Sequence, residues 1–287
     1  MGDTTLLTSK RGNITPMDIS NACRAVGVRQ GDIVMVHSRL FTLGRTAQAV
    51  GKEEFADAFI DALMHVVGHE GTVIFPTFTL SVCKSGLFDV NQTKSEMGLL
   101  SERARIISSS RTHHPFYSVS ILGARVDLFD SANSSTAFGE NSFFDILHKL
   151  NVSSAHKGKV KFLTFGINLP PGAITYIHSI EEKLQVPYRY HKNFHGSIRA
   201  EGKATPYNVQ FFVRDLTTEV VFDAEACWRL LEAEEGVKTG PLGDSVVAML
   251  PEAAVFSALV RKIAQDSDFL CKGGYIKGRF QVRSATS

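Results

Sequence analysis

Tryptophan and cysteine are scarce in this 287-residue sequence: one Trp, Trp228, and four cysteines, Cys23, Cys83, Cys227 and Cys271. The cysteines lie far apart with no C-x-x-C, which excludes a disulfide framework or a cysteine-rich zinc site and reads as reduced packing thiols. No apolar run approaches the roughly 18 residues of a membrane helix, and Met1–Pro16 holds no apolar signal segment. Charge of one sign is missing too. Thirty-one Lys and Arg against 29 Asp and Glu leave a net +2, with no dense basic run for nucleic acid and no acidic surplus for a polycationic partner. Gly (23) and Pro (9) are ordinary and 44% of residues are apolar, which excludes collagen-like and disordered classes. The expectation is a cytoplasmic globular chain with no membrane and no nucleic-acid partner.

Familiar chemical motifs are absent as well. There is no G-x-x-x-x-G-K-[ST], no G-x-G-x-x-G after a strand and no G-x-S-x-G, so NTPase, dinucleotide and serine-hydrolase readings lose their support. Ten histidines raise the question of a metal. His65 and His69, and His191 and His195, are four apart, but Gly68 interrupts the first pair. No H-E-x-x-H occurs and no Cys neighbours a His pair, so no metal is expected.

What the sequence does contain is alternation of helical and strand-like segments. Thr15-Pro16 opens a helix with Ile19, Cys23 and Val26 on its apolar face. Asp32–His37 reads as a buried strand, 53–67 as an amphipathic helix and Thr72–Phe78 as a second buried strand. Ser81–Ser95 reads as a polar loop and Met97–Ser108 as a helix. Then come a strand at 117–122, a helix at 143–150, a buried strand at 159–166 and a helix at 173–185. Beyond Pro187 the pattern shifts to an alternating strand, 204–215, and helices at 224–234 and 251–266. The fold class expected is α/β: one domain, residues 1–287, with a layered α/β/α core over about 12–195 and an additional C-terminal β/α segment over about 196–287.

Within Leu169–Leu184, the run Pro170-Pro171-Gly172 forces a tight entry into a helix whose core stripe is Ala173, Ile177, Ile180 and Leu184. Thr175 and His178 are three apart off that stripe, and His178 shares a face with Glu181 or Glu182. A hydroxyl, an imidazole and a carboxylate then line one cleft at the carboxyl end of a strand, where open α/β sheets place ligands. An imidazole suits removal of a proton from an attacking amine near neutral pH. Thr175, in the expected first helical turn, would donate to a developing oxyanion with help from the helix dipole. By spacing alone the same residues also read as a surface helix with a solvated Glu181-Glu182-Lys183 cluster.

Several separated blocks resemble the aminoglycoside 3-N-acetyltransferase family, which is unrelated to the GNAT fold. They are His37-Ser38-Arg39-Leu40 with Leu43-Gly44; the strand Gly71–Thr77; Met97-Gly98 with Glu102; and Arg111, His114-Pro115, Ser118 and Gly123-Ala124. Gly139 with Ser142, Gly158–Gly166, and a T-x-x-H-x-x-E signature on Thr175, His178 and Glu181 complete the order over roughly residues 30–195. The resemblance implies an acyl-CoA-dependent N-acyltransferase acting on an amino sugar, with His178 as general base and no metal. It places acyl-CoA contacts on His37, Ser38, Arg39, Leu40, Pro76, Thr77 and Ser118, and it makes Glu102 a carboxylate partner for His178, in competition with Glu181.

The sequence departs from antibiotic-modifying members between the two central blocks. Phe78–Glu96 holds only Asp89 and Glu96 as acids, offset by Lys84 and Lys94, and Trp228 is elsewhere. A polycationic aminoglycoside needs carboxylates. Tyr188, Arg189, Tyr190 and Lys192 instead suit a phosphate and a stacking base. The expected acceptor is therefore a nucleotide-linked deoxyamino sugar, with an aminoglycoside as the alternative. The expected route is direct transfer; an acyl-cysteine on Cys83 and a non-catalytic CoA- or nucleotide-binding module are its rivals.

Overall fold

Three apolar runs with almost no polar interruption become strands covered on both faces, as such runs require. A computed structural model describes residues 4–278. In chain order its elements are β1 (Leu7–Ser9), β2 (Gly12–Ile14), α1 (Pro16–Ala25), β3 (Ile33–Ser38), β4 (Arg45–Thr46), α2 (Lys52–Val67) and β5 (Thr72–Pro76). Next come α3 (Val82–Ser85), β6 (Leu87–Asp89), α4 (Leu99–Ile107), β7 (Ser110–Arg111), β8 (Val119–Gly123), α5 (Phe143–Val152), β9 (Val160–Phe165) and α6 (Ile177–Lys183). The chain finishes with β10 (Arg189–Ala200), β11 (Lys203–Arg214), α7 (Ala224–Leu231), β12 (Lys238–Leu242), β13 (Ser245–Pro251) and α8 (Glu252–Gln265).

Seven strands form the main sheet in the order β12-β13-β9-β3-β5-β8-β7. Only β9, β3 and β5 run parallel; β13 and β8 flank them antiparallel. Side-chain alternation splits the strands between two cores. Ile33, Met35, Ile74 and Phe162 face a layer with α5 and α8, whereas Val34, Val36, Val73, Phe75, Leu163 and Phe165 face α1, α2 and α4. The layered α/β expectation is met. The C-terminal β/α segment is present and continues this sheet, since β13 pairs with β9 from Val247–Phe165 to Pro251–Lys161.

Two local expectations change. The polar stretch 81–95 is not a plain loop. It contains α3 and β6, and β6 pairs parallel with β10, Ile198 opposite Phe88. Phe88 is fully buried with the Arg111 guanidinium 4.8 Å over its ring, so one aromatic among polar neighbours carries the strand. The helix expected over 173–185 is shorter. Prolines 170 and 171 lack amide donors, and the backbone descends through i→i+3 turns, Ala173 N–H to Pro170 O at 2.9 Å and His178 N–H to Thr175 O at 3.0 Å. The seven-residue α6 starts only at Ile177.

β10 and β11 make a long hairpin, paired from Arg189–Arg214 to Ala200–Lys203. Its turn residues Glu201 and Gly202 both have positive φ, the twist a two-residue hairpin requires. At the end of β9, Gly166 has φ +69°. A Cβ there would lie 2.1 Å from Thr42 Oγ1 and 2.4 Å from Arg39 O, so only glycine lets the 39–42 loop close over the sheet end. Among the described residues no helix is long and apolar enough to cross a membrane.

Candidate active site

His178 sits in the first turn of α6, with 29% of its side chain exposed. Glu181, one turn later, is 1% exposed, and its Oε2 lies 2.5 Å from His178 Nδ1. The Tyr188 hydroxyl donates to Glu181 Oε1 at 2.7 Å. Arg189, the first residue of β10, places Nε 2.9 Å from Glu181 Oε2, too poorly aligned for a hydrogen bond but close enough for a strong charge contact. Glu181 is thus surrounded by a ring N–H, a hydroxyl and a cation. Burial favours its neutral form. It is outweighed by the His178 ring and its hydrogen bond, the Arg189 charge and the Tyr188 hydroxyl, which hold the carboxyl below the usual carboxylate range.

His178 itself is pushed below the usual imidazole range, first by burial and then by the Arg189 cation, against the pull of Glu181. It is neutral near pH 7. An arginine nitrogen also lies 2.9 Å from Nδ1, but one ring nitrogen cannot accept from Arg189 and donate to Glu181 together. The 2.5 Å carboxylate contact assigns the proton to Nδ1. Nε2 is then the basic nitrogen.

Two cavities meet at this ring. One, about 370 Å³, is lined by Val36, His37, Ser38, Arg39, Pro76 and Thr175 together with His178. The other, about 390 Å³, lies toward the hairpin and includes Glu181, Tyr188, Arg189, Phe211 and Arg214. Tyr117 lines both, and Phe138 packs edge-on to His178 at 5.7 Å. A third cavity, about 740 Å³, opens beyond Ser38, Arg39 and Leu40 and adds Arg45.

The residues singled out from the sequence divide accordingly. His178, Glu181, Thr175, His37, Ser38, Arg39, Leu40 and Pro76 gather at these cavities. Thr175 precedes α6, so the first-turn, helix-dipole role does not apply to it. Glu102 is not a partner of His178: it takes two bonds from Arg105, 2.9 and 2.8 Å, and one from the Ser95 amide. Thr77 and Ser118, both fully buried, bond each other across β5 and β8 and line none of these cavities. The Arg111 guanidinium locks that junction through Ser118 Oγ and the carbonyls of Thr77, Val90 and Thr93.

The phosphate-and-base reading of the 188–192 stretch loses Tyr188 and Arg189. Tyr188 is 2% exposed and bound to Glu181, and Arg189 is committed to the same carboxylate. Tyr190 and Lys192 are exposed on the hairpin, with Lys192 over the Phe194 ring. Nor is Glu181-Glu182-Lys183 a solvated cluster, because both glutamates are buried. Cys83 lines none of the cavities around His178, and burial pushes its thiol up to about 11, the reverse of a nucleophilic cysteine. Sequence reasoning missed Tyr117, Phe138 and Phe211, the aromatic walls; His114-Pro115 pointed to their neighbourhood. His114 Nδ1 accepts from the amides of Phe116 and Tyr117 and so sets the turn that presents Tyr117. Among the described residues no group of His, Cys, Asp or Glu is placed to hold a metal.

Solved structures share this architecture. Over 88% of this chain, aminoglycoside acetyltransferase AAC(3)-Xa aligns with a TM-score of 0.71 at 22% identity, covering 93% of its own length. AAC-IIIb in binary complex with CoASH gives 0.70 at 21% over 88% of this chain and 97% of its own. The YokD protein from Bacillus subtilis gives 0.67 at 21% over 88% and 94%. A search of curated proteins returned no match. The sequence profile described as aminoglycoside 3-N-acetyltransferase matches residues 35–264. With four-fifths of its length matched and the signature histidine and glutamate paired between two cavities, the chain belongs to the aminoglycoside 3-N-acetyltransferase family and is an acyltransferase.

Proposed function

We propose that the protein transfers an acetyl group from acetyl-CoA directly to an amino group of an aminoglycoside, with His178 as general base. The observation that carries this reading is the position of the His178 ring between two cavities, which gives room for two substrates on either side of it. The donor side suits acetyl-CoA. Apolar Val36, Pro76, Phe78, Met97 and Ile167 line the inner cavity beside His37 and Ser38, which matches an arm of alternating methylene and amide groups. Arg39 and Arg45 at the outer cavity make no ion pair among the described residues and suit phosphates. Acetyl-CoA supplies the thioester carbonyl.

The remaining chemistry belongs to this chain. As the amine nitrogen bonds the carbonyl carbon, His178 Nε2 takes its proton and the C–S bond breaks to release the thiolate. Glu181 holds Nδ1–H in place and stabilises the imidazolium that forms. Tyr188 and Arg189 fix Glu181. The family match favours an aminoglycoside over a nucleotide-linked sugar, two of whose supporting residues, Tyr188 and Arg189, are engaged with Glu181. The test is thiol release from acetyl-CoA with sisomicin and with nucleotide-linked amino sugars, in wild type and His178→Ala. The variant should lose at least about a hundredfold in kcat while its CoA affinity, measured by calorimetry, stays within about twofold. Turnover near the wild-type rate would refute the assignment.

A further inference from the structure

Helix α6 carries a second carboxylate that the chemistry at His178 does not use. Glu182 is 7% exposed, and its Oε2 meets no hydrogen-bond partner among the described residues. It lines a separate cavity of about 490 Å³ between α5, α6 and α8. A buried polar atom without a partner is costly, and no cation among the described residues compensates the Glu182 carboxylate, which burial pushes toward its neutral form.

The walls indicate what completes it. Phe138, Phe144 and Phe256 supply aromatic surface, and Glu140, Asp145 and Ser179 add oxygens. The ammonium of Lys183 already lies 5.7 Å over the Phe256 ring, so the cavity's own wall accepts that kind of group. Gly139 backs the carboxylate: a Cβ there would stand 3.0 Å from Glu182 Oε1. Aromatic rings beside the Glu182 carboxylate, with no group of His, Cys, Asp or Glu among the described residues placed to hold a metal, favour an organic ammonium. Phe138, a wall of this cavity, also packs against His178, the ring centroids 5.7 Å apart.

We propose that this cavity is an ammonium-binding site in which Glu182 receives a second amino group of the amino-sugar acceptor. The identity of that acceptor rests on the activity proposed above; the ammonium site does not. Burial pushes the Glu182 carboxyl up to about 7, so occupancy should rise between pH 6 and pH 8. The charged and titratable groups facing it are Glu140 in the preceding loop; Asp145, His148 and Lys149 on α5; Tyr176 before α6; and Lys183 on α6. Glu252 of α8 holds His148 Nδ1 at 2.8 Å, and Lys149 holds Asp145 at 2.8 Å.

Calorimetric titration with sisomicin and with 1,4-diaminobutane tests the site in wild type, Glu182→Gln and Glu182→Ala, with His178→Ala as control and thermal melts to confirm folding. At pH 8 both probes should bind the wild type, roughly 10- to 100-fold more weakly when the charge is removed. The diamine should bind His178→Ala unchanged, and binding to wild type should weaken at pH 6. Equal affinity in folded Glu182 variants, or no binding of either probe to wild type, overturns the proposal. Diamine binding that depends on Glu182, without acetylation of sisomicin, keeps the ammonium site and removes the acceptor reading.

Discussion

His37 offers a quantitative test of how the cavity it shares with Pro76 and His178 is built. Its ring is 3% exposed, neither ring nitrogen has a hydrogen-bond partner among the described residues, and burial pushes it down to about 4. An unfolded histidine titrates near about 6.5. The folded value is the lower one, so as pH falls through 6.5 the unfolded chain takes up the proton first. Stability is lost from there down to about pH 4. Between pH 7 and pH 5 the linkage integrates to about 2 kcal/mol for this residue alone, against a typical total of roughly 5–15 kcal/mol. His37→Gln removes the titration, and comparison with wild type cancels the other ionisable groups. Denaturant unfolding at both pH values should show the variant gaining about 2 kcal/mol relative to wild type on acidification, whatever its baseline. A difference between the two proteins that does not move with pH would refute the argument that His37 is held neutral in a dry wall.

Two further outcomes follow from the catalytic cluster. Glu181→Gln keeps the shape but removes the charge opposite the imidazolium, so kcat should fall about 10- to 100-fold. Because the Arg189 cation then acts on His178 unopposed, the acid limb of the pH–rate profile should move to lower pH; a shift to higher pH would contradict the charge arrangement. Cys83→Ala should retain turnover and form no ping-pong pattern, since the thiol is protonated and away from His178. Its inactivation, with the fold intact, would restore the acyl-cysteine route.

Much of the scaffold was legible because burial on two sides writes itself as unbroken apolar runs: β3, β5 and β9 all announce themselves that way. The Glu181–His178 pair was legible from i,i+3 spacing on a helix. The same rule also puts Glu102 beside Arg105 on α4, the local contact that removes it from the catalytic site. β10 and β6 were hidden because the hairpin is mostly exposed and β6 is carried by Phe88. Thr77 and Ser118 sit in a family-like pattern for a packing reason, a hydroxyl junction that closes β5 against β8. The role of Arg189 depends on a long-range approach of β10 to α6, which no local period records.

The parallel pairing of β6 with β10 joins the exit of β5 to the hairpin that borders the cavity of Glu181 and Arg189. Inserting one residue between the Phe88–Ile198 rung and Arg189 would slip the ladder and swap the faces of every side chain beyond it. Arg189 would then swing away from Glu181 and expose that acid uncompensated. The spacing of a surface ribbon therefore governs how the Glu181–His178 pair is held.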